Sequence, residues 1–228
     1  WFVELASLDD PALVLSTVAA VLGVRHPECR LTIDSLIGFL SGKRVLLVLD
    51  NCEHLVESCA ALVDSLLRAC PRLRVLATSR EPLGVSGEAV WPVPALTVPE
   101  SGSRISPASL GQYEATRLFV ERATLGRPGF VARDGNSAAI AEVCRRLDGI
   151  PLAIELAAAR VKVLSVEQIA ARLDDRFGLL AGGNRAAPRR QQTLRAAIDW
   201  SHDMLSDSER ELLRRLSVFA GGFTLEAV

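Results

Sequence analysis

Residues 45–54, VLLVLDNCEH, end an unbroken apolar stretch in an acid, Asp50. If the stretch is a strand, Asp50 stands at its carboxyl edge, where ligands bind in open α/β sheets. A carboxylate there suits Mg²⁺, a hard cation that prefers oxygen ligands. Taken alone, the same pattern also describes an Asp that caps the next helix. A second run, VLATSREPLG at 75–84, carries Thr78-Ser79-Arg80 off the end of another apolar stretch. An arginine so placed can reach a terminal phosphate and report its presence. Its plainer reading is a solvated loop residue. A third run, DGIPLAIELAAAR at 148–160, sets Gly149 and Pro151 between two helices. That turn either holds Pro151 against a base or ribose, or is a simple helix stop and start.

These residues need a scaffold, and three regions differ in pattern. From 1 to about 96, short β-branched runs alternate with amphipathic helices. The expected strands are 1–5, 45–49, 75–79 and 89–93. A helix follows Asp10 as N-cap with Pro11 at its first position. Others run from Thr32 to about Ser41 and from about Glu53 to Cys70. Alternating strands and helices imply a parallel sheet covered on both faces. The all-apolar run 45–49 fits a strand buried on both sides. Residues 94–107 have the Pro, Ser and Gly composition of a linker. From about 108 to 180 the pattern is helical, with Ile140, Val143, Cys144 and Leu147 on one stripe. Ser165 with Gln168, and Ser206 with Glu209, form capping boxes. Residues 181–190, AGGNRAAPRR, read as a polar hinge.

The 228 residues suffice for two or three domains. A hydrophobic fraction of 49% and a charged fraction of 23% are ordinary for a soluble globular chain. The net charge of −1 gives no whole-molecule attraction to nucleic acid or anionic membrane. No apolar run approaches the roughly 20 residues of a bilayer span. The five cysteines lack metal or disulfide spacing and read as reduced core residues of a cytoplasmic protein. His26, His54 and His202 have no metal spacing and read as loop or helix-surface residues. The chain opens on Trp1, already within a strand-like run, so it reads as the inner part of a longer polypeptide.

Taken together, VLLVLDNCEH, RVLATSREPLGVSGE, GIPLAIELAAARV and RQQTLRAAIDWSHDMLSDSERELLRRLSVFAGGFTLEAV resemble the NB-ARC-type STAND signalling ATPases. The resemblance is closest to the predicted-ATPase transcriptional regulators of actinobacteria, the LuxR- and SARP-associated kind, and covers almost the whole chain. It implies an α/β P-loop NTPase-type parallel sheet, here lacking its first strand and phosphate loop, over 1–96. An all-helical domain over 97–185 and the start of a winged-helix domain over 186–228 would follow. It also implies ATP or ADP and Mg²⁺ as cofactors. Asp50 would match the Walker B acid, holding magnesium through water, and Arg80 the sensor arginine. Gly149, Pro151 and Leu152 would match the GxPL motif lining the nucleotide. The implied function is a nucleotide-gated switch with slow hydrolysis, DNA contact through domains outside this chain, self-association on activation and no membrane partner. The rival expectation is an interaction scaffold that has lost nucleotide binding.

Two departures from that pattern matter. The Walker A loop is absent: Gly42-Lys43 is followed by Arg44 and a strand, not by Ser or Thr and a helix. Asn51 stands where strongly hydrolytic relatives carry a second acid, and an amide cannot take a proton from water. Pro188-Arg189-Arg190 with Arg195 makes a small basic cluster; the winged helix implied beside it invites a DNA-binding reading, but in the family resembled that domain is more often a regulatory lid. In the implied sheet, the strands at 75–79 and 89–93 would flank a missing middle strand, leaving a gap of roughly 10 Å, twice the strand spacing.

Overall fold

The computed structural model describes residues 1–24, 32–101, 105–173, 180, 194–203, 205–219 and 224. The stretch 181–190, with Pro188, Arg189 and Arg190 of the basic cluster, and His26 and Cys29 lie outside the described residues, whereas Arg195 is described. The chain divides into two compact units, Trp1–Pro92 and Val93–Val228.

The first unit is built on three parallel strands, β1 (Phe2–Glu4), β2 (Val45–Asp50) and β3 (Leu73–Ala77), in the order β1-β2-β3. Val3 stands opposite Leu49, and Leu47 opposite Val75. A 3-10 turn at Pro11–Leu13 leads into α1 (Val14–Leu22), with Asp10 accepting from the Ala12 N–H at 2.9 Å. Gly23, at φ 75, closes α1 in the left-handed conformation that glycine adopts without strain. Helices α2 (Ile33–Leu40) and α3 (Val56–Ala69) follow. Their stripes, Leu36 and Leu40 with Cys59, Leu62, Val63 and Leu66, join Val14, Val18 and Leu22 in one core over Val3, Leu47, Leu49 and Leu73.

Because side chains alternate along a strand, burying Val3, Leu47 and Leu49 turns their neighbours the other way. Phe2, Leu46 and Leu76 are 59%, 52% and 55% exposed. The expectation of a sheet covered on both faces is therefore corrected: among the described residues, one face is covered. The three described helices of this unit contribute to a single core, so none of them covers the second face.

The expected strand at 89–93 does not form; the segment has no regular structure. Val90, Trp91 and Val93 are 63%, 84% and 88% exposed. Apolar alternation makes a segment suitable for a strand, but its backbone needs a ladder to join. β3 pairs with β2 alone among the described residues, in keeping with the expectation that it does not pair with 89–93; what is missing is the second strand, so no gap between two strands is defined. β3 also ends at Ala77, which leaves Thr78 and Ser79 beyond the ladder.

The second unit is helical: α4 (Pro107–Leu110), α5 (Glu114–Gly126), α6 (Asp134–Arg146), α7 (Pro151–Ala158), a 3-10 turn at Ala159–Lys162, and α8 (Val166–Ala171). Ile140, Val143, Cys144 and Leu147 form one buried stripe, packed with Phe119, Ala123, Ile154 and Ile169. The capping box at the start of α8 is present, with Gln168 N–H donating to Ser165 Oγ at 3.3 Å. Beyond the hinge come α9 (Leu194–Asp203) and α10 (Asp207–Leu216), the latter opened by Ser206 and Glu209.

Residues 94–101 are not the free linker that their composition predicts. Leu96 and Val98 pack on the helical core. Thr97 caps α5: its N–H donates to Glu114 Oε2 at 3.1 Å, and its Oγ accepts from the Glu114 N–H at 3.1 Å. Threonine at this position satisfies donors at the helix start that have no partner within the helix.

Candidate functional site

Asp50 is the last residue of β2, and its Oδ1 accepts from Thr78 Oγ at 2.6 Å. Thr78 Oγ in turn accepts from the Asn51 N–H at 2.9 Å. The backbones are tied as well, with the Thr78 N–H donating to Leu49 O and the Cys52 N–H to Thr78 O, both at 2.9 Å. One hydroxyl past the end of β3 thus orients the acid at the end of β2. A threonine immediately after a strand, beside an acid-tipped strand, is the sequence signal that could have pointed to Thr78.

Asn51 then leaves the sheet at φ 65, a left-handed conformation that asparagine tolerates better than most residues. Cys52–Leu55 turn back through a 2.9 Å bond from the Leu55 N–H to Cys52 O. These turns delay α3, which starts at Val56 rather than near Glu53. Asp50 is therefore not the N-cap of that helix; the cap position is Leu55. Within the turn, Asn51 Nδ2 donates to Glu53 Oε1 at 2.9 Å, and Arg80 Nε lies 3.5 Å from the same oxygen. His54 Nε2 lies 3.1 Å from Leu5 O and 2.9 Å from Leu8 O, so that nitrogen carries the proton. It ties the end of β1 to the loop before α3, a structural role beyond that of a surface residue.

The residues present fit a magnesium ion held through water. Among the described residues only Oδ1 of Asp50 is hydrogen-bonded, and a second hard oxygen remains on the same carboxylate. No group of three or more His, Cys, Asp or Glu able to hold a metal by themselves occurs among the described residues. The other contacts to the ion would come from phosphate and water.

Cys52, Cys59, Cys70 and Cys144 are free and buried. The hydrogen bond with Cys59, then burial, pushes the Cys52 thiol far above its usual range. Burial alone pushes Cys144 up to about 12.

Gly149, Pro151 and Leu152 lie in the second unit. Gly149 sits at φ 67, and a Cβ placed there would come within 2.1 Å of Leu96 O. The Leu96 N–H donates to Gly149 O at 3.0 Å. The glycine thus allows the 94–98 strap to close on the α6–α7 turn. Pro151 opens α7 at its first position and is exposed, while Leu152 packs partly against the helical core. Each has a role in the fold that requires no ligand.

One unit is an α/β layer with an acid and an arginine at or beyond the carboxyl ends of its strands; the other is a helical unit on whose own core the 94–98 strap packs. No family model matches the chain. It is 52% identical over 227 residues to a Mycobacterium tuberculosis protein named "Putative HTH-type transcriptional regulator", and covers 24% of it. A Mycobacterium bovis protein of the same name is matched to the same extent. A second M. tuberculosis protein, named only as uncharacterized, is 46% identical over 226 residues, which is 54% of its length. The chain thus spans about a quarter to about half of the relatives it matches. Among the described residues, no helix is long and apolar enough to cross a membrane.

Proposed function

We propose that this chain is the nucleotide-responsive part of a regulator, with Asp50 organising Mg²⁺ and Arg80 reading the terminal phosphate of ATP against ADP. The observation that carries the reading is the paired sheet edge: β2 and β3 present a carboxylate and a guanidinium, each engaged by a neighbouring side chain, at their carboxyl ends. Preorganised charge at such an edge favours phosphate and metal over neutral ligands. Gly149, Pro151 and Leu152 remain proposed nucleotide contacts in addition to their roles in the fold. Asn51 donates to Glu53 and is unsuited to act as a base, so slow turnover or held nucleotide fits best. The name of the 52%-identical relatives supports a regulatory output, with DNA bound through an HTH element outside this chain, in the cytoplasm. Self-association on activation belongs to the same proposal.

The test is Asp50→Asn in the full-length protein, followed by calorimetry with ADP and ATP, with and without Mg²⁺. Asparagine keeps an acceptor for Thr78 and loses the charge. Magnesium-dependent binding should fall while the thermal transition stays in place. Unchanged binding would remove Asp50 from the site.

A second reading, a nucleotide-independent interaction scaffold, is favoured by the uncovered apolar sheet face at Phe2, Leu46 and Leu76. It predicts that the full-length protein binds neither ADP nor ATP yet retains its partner binding.

A further inference from the structure

The β2–α3 corner holds a second carboxylate that the reading above does not use. Glu53 lies in an irregular turn, yet its side chain is 7% exposed, while that of Arg80 is 43% exposed. Its Oε1 is shared: Asn51 Nδ2 donates to it at 2.9 Å, and Arg80 Nε faces it at 3.5 Å. Asn51 reaches this place because the chain turns at φ 65 directly after Asp50. An amide here cannot serve as a base, but it can donate, and its donation fixes the carboxylate that faces the arginine. The side chains from Asn51 through Glu53 to Arg80 thus link the end of the acid-bearing strand to the proposed phosphate reader.

The geometry points to Glu53 as a positioning residue that withholds Arg80 from phosphate until a terminal phosphoryl group competes for it. The inference rests on the nucleotide reading of Asp50 and Arg80 and concerns the regulation of that same site. Carboxylate and phosphate oxygens compete for one guanidinium, and phosphate offers more oxygens and more charge. The pair is half exposed on the arginine side, so it is weak enough to be exchanged. A diphosphate, which lacks the group that reaches Arg80, would leave the pair closed. Glu53 would thereby bias the site toward ADP.

The test has two arms. In the 228-residue chain with ¹⁵N-labelled arginine, the Arg80 Nε–H resonance should shift on Glu53→Gln, which keeps an acceptor for Asn51 but loses the charge. Glu53→Asp should restore part of the shift. In the full-length protein, Glu53→Gln should raise the ATP-to-ADP affinity ratio about two- to fivefold, the value of a partly exposed ion pair. Glu53→Asp should stay near wild type, and Arg80→Ala should abolish the effect of Glu53→Gln. An Arg80 resonance indifferent to Glu53 overturns the inference whatever binds. A resonance that responds, with an unchanged ATP-to-ADP ratio, reduces Glu53 to a structural contact and also overturns it. Wild-type protein that binds neither nucleotide overturns the underlying site reading, and the inference with it.

Discussion

At Gly149 two independent constraints coincide, a φ of 67 and a backbone oxygen 2.1 Å from where a Cβ would stand. Gly149→Ala should cost at least about 2 kcal/mol, combining left-handed strain with displacement of the Leu96 strap. Denaturant titration of the helical unit measures this, and a loss under half that size would mean the strap yields freely. Thr78→Val removes the hydroxyl that orients Asp50 and receives the Asn51 N–H. On an exposed sheet edge the expected cost is about 1 kcal/mol. The thiols carry a pH signature. Burial raises Cys144 from 9.0 to about 12 in the folded chain. Between those values the unfolded chain has lost this proton and the folded chain retains it, so the thiol's contribution to stability falls as pH rises through that window. Below pH 9 it has no effect. Cys144→Ala should flatten this part of the alkaline stability profile.

The strands divide into two faces with opposite tolerances. Leu47 is fully buried beneath the helices, whereas Leu46 and Leu76 on the other face are more than half exposed. Leu47→Ala should cost about 3 kcal/mol, as for other buried leucines. Leu76→Asp should leave the unfolding midpoint nearly unchanged and reduce association of the chain, seen by light scattering. If Leu76→Asp unfolds the first unit, the face is not open in solution. The same strands show how much of the site was legible. The apolar run before Asp50 announces its strand, because five consecutive apolar residues bounded by turn signals have few other uses. It could not announce that one face would stay uncovered, since the run reads the same in either case. Residue spacing does not mark Glu53 and Thr78 as partners, because they meet Arg80 and Asp50 only when β2 and β3 lie side by side.

For the whole molecule, the division after Pro92 predicts where the chain can be cut. Trp91 is 84% exposed, whereas Leu96 and Val98 are packed on the helical core. Limited thermolysin digestion should cleave first on the amino side of Val90, which is 63% exposed, and release a helical fragment that keeps the 94–98 strap. First cleavage at Leu96 would contradict the docked strap. Composition points to a linker at 94–107 because Pro, Ser and Gly signal irregular backbone, and irregular backbone is what the structure shows over 94–101. Irregular backbone can still be fixed, and here side-chain burial and the Thr97 cap fix it.

Features decided within a few residues were read directly from the sequence. Ser165 with Gln168 and Ser206 with Glu209 form their caps because donor and acceptor lie three positions apart in any helix start. The stripe Ile140, Val143, Cys144 and Leu147 is buried because helical geometry puts those positions on one face. The acid at the end of β2 follows from strand length alone. Long-range placement decided the rest: Thr78 on Asp50 across 28 positions, Arg80 against Glu53, and Leu96 closing on Gly149. Each pairing depends on the register of strands or the docking of a strap, which residue spacing does not encode. The segment at 89–93 has a strand's composition and no partner among the described residues, and a strand's hydrogen bonds belong to its neighbours as much as to itself.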